Sequence, residues 1–137
     1  MPVSYQVDGN GRTIRTKCSG NLTMQEVLDH FHDLEQDPQC PVCPDVFLDL
    51  SEVESLPETP QLSMVVRALK RIRPKVRFGA CAILARRDAL VGMMRIFEVL
   101  AEEVFLSTAT FRDAGEAEIW LVSHRKFGEG KSFLPRG

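Results

Sequence analysis

Phe78-Gly-Ala-Cys-Ala-Ile-Leu-Ala85 is the apolar run that decides the fold class of this chain. A helical pattern that opens at Asp88 follows it, and a second apolar run with its own helical pattern occupies residues 108–113 and 116–121. A short apolar run followed by an amphipathic helix, repeated, is typical of parallel βα units whose strands are covered on both faces. Residues 78–121 therefore predict an α/β protein.

The first half of the chain predicts the remaining elements. Two runs in which apolar and polar residues alternate predict a hairpin with one buried face: Val3, Tyr5 and Val7, then Ile14, Thr16 and Cys18. Residues 23–26 have the spacing of a capping box and open a helix that we expect to end near Asp37, before a proline. Its buried stripe comprises Met24, Val27, Leu28, Phe31 and Leu34.

A third strand is predicted at residues 46–50, and a polar connection follows from Ser51 to Glu58. Thr59 as N-cap with Pro60 as the first helical residue opens the second helix. The third and fourth helices are predicted to be capped by Asp88 and Asp113. The predicted order is ββαβαβαβα, a mixed, mostly parallel sheet with helices on its faces.

Length and charge limit the classes of protein to consider. A chain of 137 residues fits one domain, and the periodic pattern fades after residue 122, so we expect a domain at residues 1–122 and a mobile tail at residues 123–137. A net charge of −2 argues against general nucleic-acid binding. Residues 1–6 lack the basic and apolar parts of a signal peptide, which predicts a cytoplasmic protein with reduced cysteines.

At this level the chain resembles the STAS superfamily and, more narrowly, the SpoIIAA-like bacterial proteins, whose fold is similar to that of the CRAL-TRIO lipid carriers. Four segments within roughly residues 3–122 carry the resemblance: Ser19-Gly20 before Leu22-Thr23, residues 47–50 with Val53, residues 89–97 and residues 111–121. The resemblance implies a STAS-like α/β fold, and a fold of this kind hosts many roles.

One stretch departs from the family pattern. The superfamily's anti-sigma-factor antagonists carry a phosphorylatable serine, in the context Asp-Ser-Ser-Gly, between the third strand and the second helix. Residues 56–62 read Leu-Pro-Glu-Thr-Pro-Gln-Leu here, and Thr59 supplies the only hydroxyl. An N-cap threonine already accepts hydrogen bonds from backbone amides, which argues against a phosphorylation switch at Thr59.

The first functional hypothesis is a non-enzymatic regulatory or scaffolding module that binds a protein partner. The sequence shows no nucleophile with its base, no glycine-rich phosphate loop and no set of metal ligands, so we expect no catalysis, cofactor or metal. The proposed contact is the polar segment from Ser51 to Gln61 with the adjacent second helix. Its candidate partner-binding residues are Ser51, Ser55, Glu58 and Thr59.

The alternative hypothesis is a carrier of a lipid or small apolar ligand that associates with anionic membranes. It predicts a cavity between the second and third helices, lined by Met93, Met94, Phe97 and Phe105. A cluster of basic residues would rim the cavity and bind the anionic surface: Arg67, Lys70, Arg71, Arg73, Lys75 and Arg77. The same features are also compatible with ordinary core packing and a solvated helix face.

Cys40-Pro-Val-Cys43 permits a third hypothesis, a thiol-dependent enzyme or sensor. The chain lacks the second ligand pair that a structural zinc site needs. The motif also follows a helix, whereas the pair in thioredoxin-like proteins opens one. We expect these to be ordinary loop cysteines, with redox or metal use left open. A homodimer through an edge strand at residues 107–111, or through an exposed helix face, is also open.

Overall fold

The structure, a computed structural model, describes residues 3–8, 11–72 and 76–133. The order of its elements is the predicted ββαβαβαβα. They are β1 (Val3–Val7), β2 (Thr13–Asn21), α1 (Met24–Gln36), β3 (Asp45–Ser55), α2 (Thr59–Ile72), β4 (Ala80–Leu84), α3 (Asp88–Leu100), β5 (Ser107–Phe111) and α4 (Ala114–Phe133). None of the helices in the described ranges is both long and apolar enough to span a bilayer.

The five strands form one sheet in the order β1-β2-β3-β4-β5. β1 pairs antiparallel with β2, and the other neighbours pair in parallel, which confirms the mixed, mostly parallel sheet. Each parallel crossover moves one strand in the same direction. Right-handed crossovers of this kind put α1, α2 and α3 on one face, and α4 packs on the opposite face.

The core accordingly has two layers of unequal size. The larger layer lies between the sheet and α1–α3, and the smaller one joins α4 to strands β3 and β4. Ala117 and Leu121 of α4 pack there with Phe47, Ala82 and Leu84. All five residues of β4 are buried, as the apolar run predicts for a strand covered on both faces.

Two helix caps agree with the sequence pattern and two do not. Thr23 and Glu26 form the predicted capping box, and Asp113 Oδ2 accepts a hydrogen bond from the Glu116 amide. Asp88 is the first residue of α3 and Arg87 is its N-cap, so the prediction of an Asp88 cap is wrong. Thr59 is likewise already helical; the Glu58 amide before it donates to Gln61 Oε1 at 2.9 Å.

Strand β3 is longer than its apolar pattern suggests. The prediction of a loop beginning at Ser51 is wrong, because residues 51–55 continue the strand. Ser19, Gly20 and Asn21 of β2 pair with this part of β3, and Val53 is 2% exposed. Polar residues lie between these contacts, so a search for apolar runs does not recognise this part of the strand. They are tolerated because no helix covers their face of the sheet. At the other end of the chain, α4 extends past residue 122 to Phe133, while mobility of residues 123–137 stays a prediction.

The start of β4 depends on a glycine. A Cβ atom at Gly79 would meet Asp45 Oδ1, which accepts a hydrogen bond from the Ala80 amide at 2.9 Å. We expect Gly79→Ala to lower the free energy of unfolding by about 1–3 kcal/mol, because Asp45 must give up that bond. Denaturant unfolding measures the change.

Gly92 in α3 provides the matched control. A Cβ atom there has nothing within 4 Å, and the residue is helical and exposed. Gly92→Ala should therefore raise the free energy of unfolding by about 0.5–1 kcal/mol. Equal effects of the two substitutions would contradict the close approach of Asp45 to Gly79.

Candidate functional site

The four predicted partner-binding residues do not form one loop. Ser51 and Ser55 lie in strand β3, about 13 Å apart along the strand direction. Their hydroxyls donate to Asp49 Oδ1 at 2.6 Å and to Asn21 Oδ1 at 2.7 Å. Glu58 and Thr59 are exposed at the start of α2. The structure thus brings Ser55, Glu58 and Thr59 to the carboxyl end of β3 and leaves Ser51 farther back.

The carboxyl edge of the sheet lacks the usual ligand crevice of an open α/β fold. Such a crevice forms where neighbouring crossovers leave toward opposite faces. In the described sheet the strand order is strictly sequential, and the three crossover helices share one face. The strand order therefore gives no reason to expect a ligand crevice at the carboxyl edge of the described sheet.

The predicted basic patch is interrupted by acids. Arg67, Lys70 and Arg71 are exposed on α2, and Arg77 is exposed beyond it. Arg73 and Lys75 lie outside the described residues. Lys70 forms an ion pair with Glu103, and the groove beside Lys70 and Arg77 is also lined by Glu102 and Glu103. Binding of these cations to an anionic surface stays a prediction.

The cysteine pair lies between α1 and β3, with Cys40 half-buried and Cys43 exposed. Burial, and then the negative charge of Asp37, raise the pKa of the Cys40 thiol. A reactive thiol needs the opposite shift. Within the described ranges, no three histidine, cysteine, aspartate or glutamate side chains converge in a way that would hold a metal ion.

A cavity of about 110 Å³ lies between the sheet and the three helices α1, α2 and α3. Its wall is almost entirely apolar, with Val27 and Phe31 from α1, Val65 and Leu69 from α2, and Phe97 from α3. The predicted residues Met94, Phe97 and Phe105 line it; Met93 does not. None of the described basic residues of that cluster lines the cavity, so the basic rim stays a prediction.

Helix α1 covers the cavity loosely. Only Leu34 of its apolar stripe is buried, whereas Val27, Leu28 and Phe31 are half-buried. On the same face α2 buries five residues and α3 buries three. The cavity thus lies beneath the least deeply packed helix of this layer, which the amphipathic pattern of α1 did not reveal.

His30 on α1 is a cavity residue that sequence reasoning missed. It lines the wall, and its ring lies edge-on to Tyr5 with 5.3 Å between the ring centroids. Burial lowers the pKa of His30 to about 4, although the charge of Asp33 opposes the shift. The imidazole is therefore neutral at pH 7. The spacing of the two histidines did not indicate this role, because exposed His32 lies two residues away on a different face of the helix.

The thiols should react in a defined order with a thiol-specific reagent at about pH 8. Cys43 should react first because it is exposed, and half-buried Cys40 should follow because its pKa is raised. Burial raises the pKa of Cys18 to about 12 and also raises that of Cys81, so both should react only on unfolding. Cys43→Ser should remove the fast phase; a fastest phase at Cys40 would revive the thiol hypothesis.

Comparison with known proteins bears on the fold. No protein-family model matches the chain, and no curated protein sequence matches it. A solved structure of an uncharacterised DUF3478-family protein from Shewanella loihica PV-4, described as having a SpoIIAA-like fold, superimposes with a TM-score of 0.59 at 16% identity. The match covers 87% of this chain and 91% of that chain. The protein therefore has a SpoIIAA-like fold, as the resemblance in its sequence predicts.

Proposed function

We propose that this protein is a non-enzymatic binding module that holds a small apolar ligand in the cavity beneath α1. The observation that carries the proposal is the cavity itself. Protein interiors are normally packed without such spaces. The space is partly open to solvent, and its almost entirely apolar wall would be shielded from water by a bound apolar molecule.

The size of the cavity favours a small ligand over a long-chain lipid. A cavity of about 150 Å³ engineered into another protein accepts benzene or xenon. The 110 Å³ here is somewhat smaller, so a molecule of about that size is a suitable occupant. An acyl chain that reaches through one leaflet is roughly 15 Å long, half the thickness of the hydrocarbon core, and does not fit this volume.

Binding without catalysis is supported by the chemistry of the wall. The thiols of Cys18 and Cys81 line the cavity, and their raised pKa values keep them protonated at pH 7. A protonated thiol is a poor nucleophile. Among the described residues of the wall, the others are apolar except for Thr16 and His30.

Benzene is a direct probe of the cavity. We expect it to raise the melting temperature of the wild-type protein, because a ligand that binds only the folded state stabilises it. Val65 lines the cavity and buried Val66, its neighbour on α2, does not. Val65→Leu should raise the free energy of unfolding by about 0.8 kcal/mol, since the added methylene fills empty space, and should weaken the benzene effect.

Val66→Leu is the matched control. It forces the same methylene into packed core, so it should lower the free energy of unfolding by about 1–3 kcal/mol and leave the benzene effect intact. If benzene stabilises none of the three proteins, or if the two substitutions act alike, the proposed ligand cavity is wrong.

One observation supports the protein-partner hypothesis, but it concerns a different surface from the predicted segment at residues 51–61. Ile96, Val99 and Leu100 are exposed along one stripe of α3, and Leu106 after it is 86% exposed. Exposed apolar side chains grouped in this way often mark a protein-binding surface. This stripe is a better candidate surface than Ser51 or Ser55, whose hydroxyls are already bonded within the protein.

A double variant, Val99→Glu with Leu106→Lys, tests this second candidate. Both side chains are exposed, so stability should change little. A partner that copurifies at fixed stoichiometry should be lost from this variant and retained by Ile119→Glu, which alters an exposed apolar residue on α4. Equal recovery with both variants would contradict a partner site on α3.

A further inference from the structure

The cavity has a polar end formed by side chains from a strand and a helix. Thr16 of β2 pairs with Tyr5 of β1 and with Leu48 of β3, and it lines the cavity although only 3% of it is exposed. His30 of α1 also lines the cavity and packs against the ring of Tyr5. Because both residues are neighbours of Tyr5, we infer that Thr16 and His30 lie toward the same end of the cavity.

Neither polar group has a hydrogen-bond partner in the part of the chain that the structure describes. Among the described residues, every fully enclosed side-chain nitrogen or oxygen has a partner. The hydroxyl of Thr16 must therefore touch accessible space, and the space that this buried residue lines is the cavity. A buried hydroxyl without a partner is unfavourable unless something else supplies the hydrogen bond.

We propose that Thr16 and His30 recognise a hydrogen-bonding group on the ligand, so that the ligand is a small neutral molecule with an apolar body and one hydroxyl or carbonyl group. This inference rests on the proposed function, since it assigns the ligand class of the same cavity. A neutral imidazole and a hydroxyl each donate and accept, so together they satisfy a ligand hydroxyl.

The charges around this end of the cavity select against an anionic ligand. The charged groups that act on His30 and Tyr5 are Asp33, on the same helix as His30, and Asp37, which accepts a hydrogen bond from the Tyr5 hydroxyl at 2.7 Å. Both are acidic. Burial lowers the pKa of His30 to about 4, so its imidazole is neutral at pH 7. A carboxylate would therefore meet no cation among the described residues of the cavity wall.

Phenol and benzene form the test pair, because they differ by one hydroxyl. Their affinities are measured by calorimetry for the wild type, Thr16→Val and His30→Phe, with His32→Phe as the control on the exposed side of α1. The ratio of phenol to benzene affinity should fall about fivefold to tenfold in the first two variants, the loss of one neutral hydrogen bond. The ratio should stay at the wild-type value in His32→Phe.

Wild-type NMR provides a readout that does not depend on the variants folding. Phenol should shift the imidazole resonances of His30 more than benzene does, and leave those of His32 unchanged. If benzene binds but the affinity ratio is the same in all four proteins and His30 does not respond to phenol, the polar end is wrong and the cavity proposal survives. Should neither probe bind, both proposals are overturned.

Discussion

The structure depends on the burial of strand β4 on both of its faces. Its five residues are apolar and inaccessible, so helices have to cover the sheet on both sides. Hydrogen bonds from Gly79 to Pro44 and from Leu106 to Gly79 place the start of the strand between its neighbours, and Asp45 accepts from the Ala80 amide. α1–α3 and α4 are the two layers that this interior strand requires.

The sequential strand order distributes those layers unevenly. Three crossover helices share one face, while α4 alone covers part of the other. The uncovered part of that second face is polar. Arg15 lies at its border, where it forms ion pairs with Asp8 and Glu118. Its guanidinium also lies 5.1 Å from the centre of the Phe47 ring. On the first face, α1 lies toward the edge of the sheet and buries only Leu34 of its stripe. The cavity lies where this looser helix meets the sheet.

The same arrangement relates the fold to its proposed use. A strictly sequential sheet offers no switch-point crevice at its carboxyl edge, and the apolar space of this protein lies within its helix layer. The space beneath α1 is apolar over most of its wall and has Thr16 and His30 among its lining residues. Such a wall recognises a ligand by shape and by one polar contact. The surface stripe on α3 is separate from this cavity and would serve a different kind of contact.

The order of the elements, the buried strand β4 and the caps at Thr23 and Asp113 follow from the sequence alone, because hydrophobic period and capping spacing are local properties of the chain. Residues 51–55 form a strand because they pair with β2, and their polar side chains prevent a hydrophobic pattern from predicting it. The cavity, and the presence of Thr16 and His30 together in its wall, were decided only by the tertiary structure. A cavity is the volume left over when side chains from several distant segments pack together, and no local pattern encodes that remainder.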